Sequence, residues 1–158
     1  VPSMPKHIPL LQQIAKDCGV ENQVQIISGQ SHTALEACDV TLITSGTATL
    51  EAALYKRPMV IGYALNWLSY EIMKRKKLQP WVGLPNILSG KFVVPELIQD
   101  AATPEALAAA TLAWFDAPEK VADLERQFTT LHTQLLRNTS ELAADAIAQV
   151  LNKTSKAS

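Results

Sequence analysis

The run Asp39-Val40-Thr41-Leu42-Ile43-Thr44-Ser45-Gly46-Thr47-Ala48-Thr49-Leu50-Glu51 limits the fold more than any other part of the chain. A short β-branched, apolar stretch ends in Thr-Ser-Gly-Thr, and a helix-forming stretch begins at once. That order specifies a strand, a tight turn and a helix N-terminus carrying hydroxyls and a glycine. The first N–H groups of a helix have no partner within it, and its dipole is positive at that end, so such a turn can hold a phosphate. Glu51 lies one turn beyond Thr47 on the same helical face. A carboxylate there suits a ribose diol better than a phosphate. The plain alternative uses the same residues as an ordinary helix cap and turn.

The surrounding sequence supplies a sheet for that turn. Pro9 to Cys18 carries a helical stripe of Leu10, Leu11, Ile14 and Ala15, stopped by Gly19. Val24 to Ile27 reads as a strand, Ser28-Gly29-Gln30-Ser31 as a turn and His32 to Ala37 as a short helix. Val40 to Ile43, Ala48 to Tyr55 and Met59 to Gly62 continue as strand, helix and strand. Helices alternating with short β-branched runs imply βαβ units and a parallel sheet. Ligands of such sheets bind beyond the carboxyl ends of the strands, where the Ser45 turn, Ser28-Gly29 and Tyr63 would lie.

The second half reads differently. Asn66 to Lys77 is amphipathic and ends in Lys74-Arg75-Lys76-Lys77. Its aromatic and basic residues fit either a surface helix or a contact with anionic lipid. Trp81-Val82-Gly83 reads as a brief strand, Leu84-Pro85-Asn86 as the opening of a loop, and Pro95 to Gln99 as a turn or two of helix. Three helices then start at Thr103-Pro104-Glu105, Asp116-Ala117-Pro118-Glu119 and Asn138-Thr139-Ser140-Glu141. Val121, Leu124, Phe128, Leu131 and Leu135 form a narrow seam that wants another helix or another subunit. The chain therefore divides into a sheet-bearing part, residues 1–100, and a helical part, residues 101–158.

Composition removes several classes. Apolar residues make up 47% and charged residues 18%, values of a globular protein. A formal net charge of -1 excludes a general nucleic-acid binder. No apolar stretch is long enough to span a bilayer, and Val1 to His7 is not a signal peptide. Cys18 and Cys38 read as buried thiols of a reducing compartment, the cytoplasm. His7, His32 and His132 stand apart, without metal-site or triad spacing, so no metal is expected. Val1 reads as the tail of a strand entering a loop, and the chain as a piece of a longer protein.

Three stretches together carry a resemblance: Ser45 to Glu51, Leu84-Pro85-Asn86, and Val94-Pro95-Glu96-Leu97-Ile98-Gln99. In that order and spacing, from about Val1 to Leu151, the chain is similar to the C-terminal part of the lipid-A-disaccharide synthases. The resemblance implies an α/β fold: a Rossmann-like parallel sheet with flanking helices, the C-terminal half of a GT-B architecture, followed by C-terminal helices. It implies an inverting glycosyltransferase that joins UDP-2,3-diacylglucosamine to lipid X, giving a β-1,6-linked disaccharide and UDP, with no cofactor. The expected donor-binding residues are Ser45, Gly46, Thr47, Thr49 and Glu51, with Asn86, Glu96 and Gln99 beside them. The catalytic base is expected in an N-terminal domain outside this chain, and so are the opening strand and Gly-rich loop of the donor domain. A peripheral contact with anionic lipid at the inner membrane of a Gram-negative bacterium follows from the acylated substrates, and a homodimer is left open. Two other readings stand beside it: another GT-B enzyme of UDP-sugars, and a non-catalytic self-association module built on the helical seam.

Overall fold

The computed structural model describes residues 1–44, 46–66, 70–71 and 80–155, with side chains through residue 150. Strands β3 (Thr41–Ile43), β4 (Met59–Tyr63) and β5 (Glu96–Ile98) form one parallel sheet in the order β3-β4-β5. Thr41 pairs with Met59, and Ile61 with Glu96. A second parallel pair joins β1 (Pro2–Ser3) to β2 (Ile27–Ser28). Helices α1 (Ile8–Asp17), α2 (Ser31–Ala37) and α3 (Thr47–Leu54) connect the early strands, and α4 (Leu84–Ser89) precedes β5. Helices α5 (Pro104–Phe115), α6 (Pro118–Leu135) and α7 (Thr139–Ser155) follow.

β4 is the middle of its sheet and reads accordingly. Met59, Val60 and Ile61 are each fully buried, as expected of a parallel strand covered on both faces. Around it pack Leu35, Ala52, Ala53, Val94, Leu124, Phe128 and Leu131. Ala52 and Ala53 of α3 are fully buried and small enough to let α6 pack closely, with Phe128 in the same core cluster. The seam of α6 thus closes within the chain: Leu124, Phe128 and Leu131 are buried, while Leu135 stays 42% exposed. The Trp114 indole of α5 donates to the Met59 carbonyl at 3.2 Å. Gly62 allows α5 close to the sheet, since a Cβ there would stand 2.9 Å from Leu107 Cδ2.

Several expected elements differ. Pro95 to Gln99 is strand β5 followed by a 3-10 turn (Gln99–Ala101), not a helix. Pairing with β4 outweighs the helix-start signal of Pro and Glu, and the Pro95 carbonyl accepts from Ile61 N at 3.0 Å. Trp81-Val82-Gly83 forms no strand, because Val82 and Gly83 give their N–H groups to the Glu96 carboxylate. Leu84-Pro85-Asn86 opens a helix rather than a loop, with Pro in its first turn and Gly90 left-handed at its end. The strand expected at Val24 to Ile27 begins only at Ile27. Most of the amphipathic segment, including Trp67, Leu68, Ile72, Met73 and Lys74 to Lys77, lies outside the described residues.

Candidate functional site

The turn after β3 is built around Gly46. Its φ of 131° and ψ of −168° fall where residues with a Cβ are strained. Its carbonyl accepts both the Thr49 hydroxyl at 2.7 Å and the Thr49 N–H at 3.1 Å. Thr49 is fully buried, so its hydroxyl holds the turn rather than reaching outward. Gly46, Thr47 and Ala48 are exposed. Among the described residues, no side chain takes up the first N–H groups of α3 at its positive end. Ser45 lies outside the described residues.

Glu51 faces the same side of α3, with its side chain 41% exposed, and His32 Nε2 stands 3.4 Å from Glu51 Oε2. The His32 ring lies 5.9 Å from that of Tyr55. Thr44, Ala48 and Glu51 rim a cavity of about 590 Å³ that runs down between β1 and β3. An exposed pair of this kind contributes little to stability, about 0–1 kcal/mol.

Asn86, Glu96 and Gln99 are drawn into the frame of the molecule. Asn86 is fully buried. Its Nδ2 donates to Val94 O at 2.9 Å and to Glu96 Oε1 at 2.8 Å, while Oδ1 accepts from Val93 N and Val94 N. Glu96 also accepts from Val82 N and Gly83 N, each at 2.9 Å. The Gln99 side chain bonds both the N–H and the carbonyl of Leu65, at 2.6 and 3.1 Å. The structure thus joins Asn86 to Glu96 directly and keeps Gln99 apart, clamped to the segment after β4. Contacts between α3 and α4 tie this frame to the Gly46 turn.

Comparison with known proteins decides the family. A family model described as lipid-A-disaccharide synthetase matches residues 1–149. The lipid-A-disaccharide synthase of Albidiferax ferrireducens is 61% identical over 155 residues, covering 96% of this chain and 40% of the relative. That of Verminephrobacter eiseniae is 59% identical over 155 residues, covering 94% and 40%. That of Neisseria meningitidis serogroup B is 53% identical over 124 residues, covering 78% and 32%. The chain belongs to the lipid-A-disaccharide synthase family. It spans about 40% of the length of the curated relatives that match it most fully.

Within this family member the sequence reading missed the histidines. His32 and His132 are isolated in sequence, but His32 meets Glu51, and His132 Nδ1 lies 2.7 Å from Lys56 Nζ. The signal was topological: α2 and α3 each follow a strand of a parallel sheet, so residues at their starts converge at one edge. Cys18 is exposed rather than buried, whereas Cys38 is half-buried. Burial pushes the Cys38 thiol up from its ordinary value, with the nearby Arg57 guanidinium pulling partly the other way. Among the described residues, no three His, Cys, Asp or Glu side chains cluster as metal ligands, and no helix is long and apolar enough to cross a membrane.

Proposed function

We propose that this chain is the donor-binding part of an inverting glycosyltransferase that joins UDP-2,3-diacylglucosamine to lipid X, forming the β-1,6-linked lipid A disaccharide and UDP. The observation that carries this reading is the exposed first turn of α3 behind the strained Gly46, with Glu51 one turn on along the same face. The N–H groups of Gly46, Thr47 and Ala48, with the Ser45 and Thr47 hydroxyls, serve the diphosphate. Glu51, oriented by His32, accepts from the ribose hydroxyls. Thr49 fixes the Gly46 turn, and Asn86, Glu96 and Gln99 brace the elements on which the donor sugar rests.

In the reaction the acceptor 6-hydroxyl attacks the anomeric carbon, and the bond from that carbon to the β-phosphate oxygen breaks. The electron pair leaves with UDP, and the hydroxyl proton passes to a base outside these residues. Charge grows on the β-phosphate as the bond breaks. N–H donors already aimed there, and the helix dipole behind them, favour the transition state over the ground state. Gly46 brings the backbone close because no Cβ stands in the way.

Acylated substrates place the work at a lipid surface. In this reading Lys74, Arg75, Lys76 and Lys77 attract anionic lipid, and the protein sits peripherally on the cytoplasmic face of the inner membrane of a Gram-negative bacterium. The apolar side of α7, with Leu142 and Ile147 more than half exposed, supports a further packing partner, such as a second copy in a homodimer. The test is turnover by the full-length protein. Supplied with UDP-2,3-diacylglucosamine and lipid X, it releases UDP in step with a disaccharide. A folded, full-length protein that makes neither overturns the proposal.

A further inference from the structure

Glu51 sets a negative charge one helical turn from where the proposed site holds a diphosphate. Thr47 and Glu51 are four residues apart on α3, so about 6 Å along the axis separates the two binding points. Two negative groups at that spacing repel, and the pull of the helix dipole on the diphosphate fades within the first turn. A bare carboxylate at this position weakens the site it serves. Among the described residues, no Lys or Arg forms an ion pair with Glu51.

The group that does reach it is the His32 imidazole, whose Nε2 lies 3.4 Å from Glu51 Oε2. Gln30, in the left-handed conformation, turns the chain out of β2 and into α2, which carries His32 at its second position. From α3, Glu51 and Tyr55 face the ring. On α2 itself, Glu36 lies one turn beyond His32. β1 also packs on α2, but Pro2 and Ser3 bring no titratable side chain. Arg57 is committed to the far end of α2, where it donates to the Leu35 and Glu36 carbonyls.

An ionised carboxylate has about four lone-pair positions, so His32 at Oε2 leaves room for a ribose diol. Histidine changes charge between about pH 5 and 8. Protonated, the ring cancels the Glu51 charge close to where the diphosphate sits; neutral, it leaves that charge in place. On the basis of the donor reading above, we infer that His32 neutralises Glu51 against the diphosphate, so that the site binds a nucleoside diphosphate more tightly when the imidazole carries its proton. A merely structural pair acts otherwise: it serves uridine and UDP equally, since both carry the ribose.

The test is calorimetric titration of the full-length protein and of His32→Gln with UDP and with uridine, at about pH 6 and about pH 8.5 in low salt. Gln keeps a hydrogen-bond donor but has no charge at either pH. The terminal phosphate of UDP titrates near pH 6 as well, roughly as other phosphate monoesters do, so parent and variant are compared on the same ligand. At the higher pH the two proteins should bind UDP within about twofold of each other. At the lower pH the parent should bind UDP about three- to fivefold more tightly than the variant, and high salt should erase that advantage. Uridine should show no such difference at either pH. A variant that follows the parent at both pH values overturns the assignment of His32 and leaves the donor reading standing. An equal loss of UDP affinity at both pH values also overturns it, because His32 is then a structural prop. A pH-dependent difference for uridine does the same, because the effect then falls on the ribose. A folded parent that binds no UDP overturns the donor reading and the role of His32 with it.

Discussion

Asn86 Nδ2 donates to Glu96 Oε1 at 2.8 Å, and through that bond a fully buried amide and a carboxylate organise the backbone on both sides of them. Val82, Gly83, Val93 and Val94 all turn backbone groups toward this pair. Removing the amide leaves several of those groups unsatisfied in a dry environment. Asn86→Ala is expected to cost about 2–4 kcal/mol of unfolding free energy, read from urea denaturation. Asn86→Asp sets a second carboxylate against Glu96. Its cost should be greatest at neutral pH and shrink as pH falls, because protonation removes the repulsion. A variant as stable as the parent would show that the network is not a brace.

The Gly46 turn gives a prediction that separates shape from charge. Gly46→Ala forces a Cβ into a backbone region that disfavours it and should cost about 1–3 kcal/mol. Thr49→Val keeps the volume but removes the hydroxyl held by the Gly46 carbonyl, costing about 1–2 kcal/mol. Both should also weaken UDP binding, although Thr49 touches no ligand. Calorimetry with UDP and thermal melts on the same samples check the two effects together. Unchanged affinity in both variants would detach the turn from the site.

Cys38 and Cys18 should differ in reactivity. Burial raises the Cys38 thiol from its ordinary value, whereas Cys18 is exposed. At neutral pH less thiolate forms at Cys38, so peptide mapping after iodoacetamide should show labelling about tenfold slower there. A thiol raised on folding contributes stability that is whole below its unfolded value and is lost as pH climbs through the folded one. Cys38→Ala should therefore flatten the alkaline loss of stability, and an identical alkaline profile would contradict this.

Much of the sheet was legible because parallel strands carry their burial in their composition. Met59-Val60-Ile61 cannot be anything but interior, and Asp39 to Glu51 announces strand, turn and helix in sequence. Where the reading failed, distant residues made the choice. Pro95-Glu96 looks like a helix start until Leu97 and Ile98 find β4, a pairing that no local pattern encodes. The resemblance marks Asn86 and Glu96 as donor-binding residues, but only the fold brings them within hydrogen-bond distance of each other. His32 could not be linked to Glu51 from spacing, because α2 and α3 meet there only once the strands before them, β2 and β3, are placed in space.

The most direct test is a calorimetric titration of the full-length protein with UDP, alongside Glu51→Ala and with AMP as control. UDP should bind selectively, and the variant should lose about tenfold or more in affinity while melting at nearly the parental temperature. UDP binding unchanged by Glu51→Ala, or a variant that loses binding only because it unfolds, would contradict a donor site centred on the Gly46 turn.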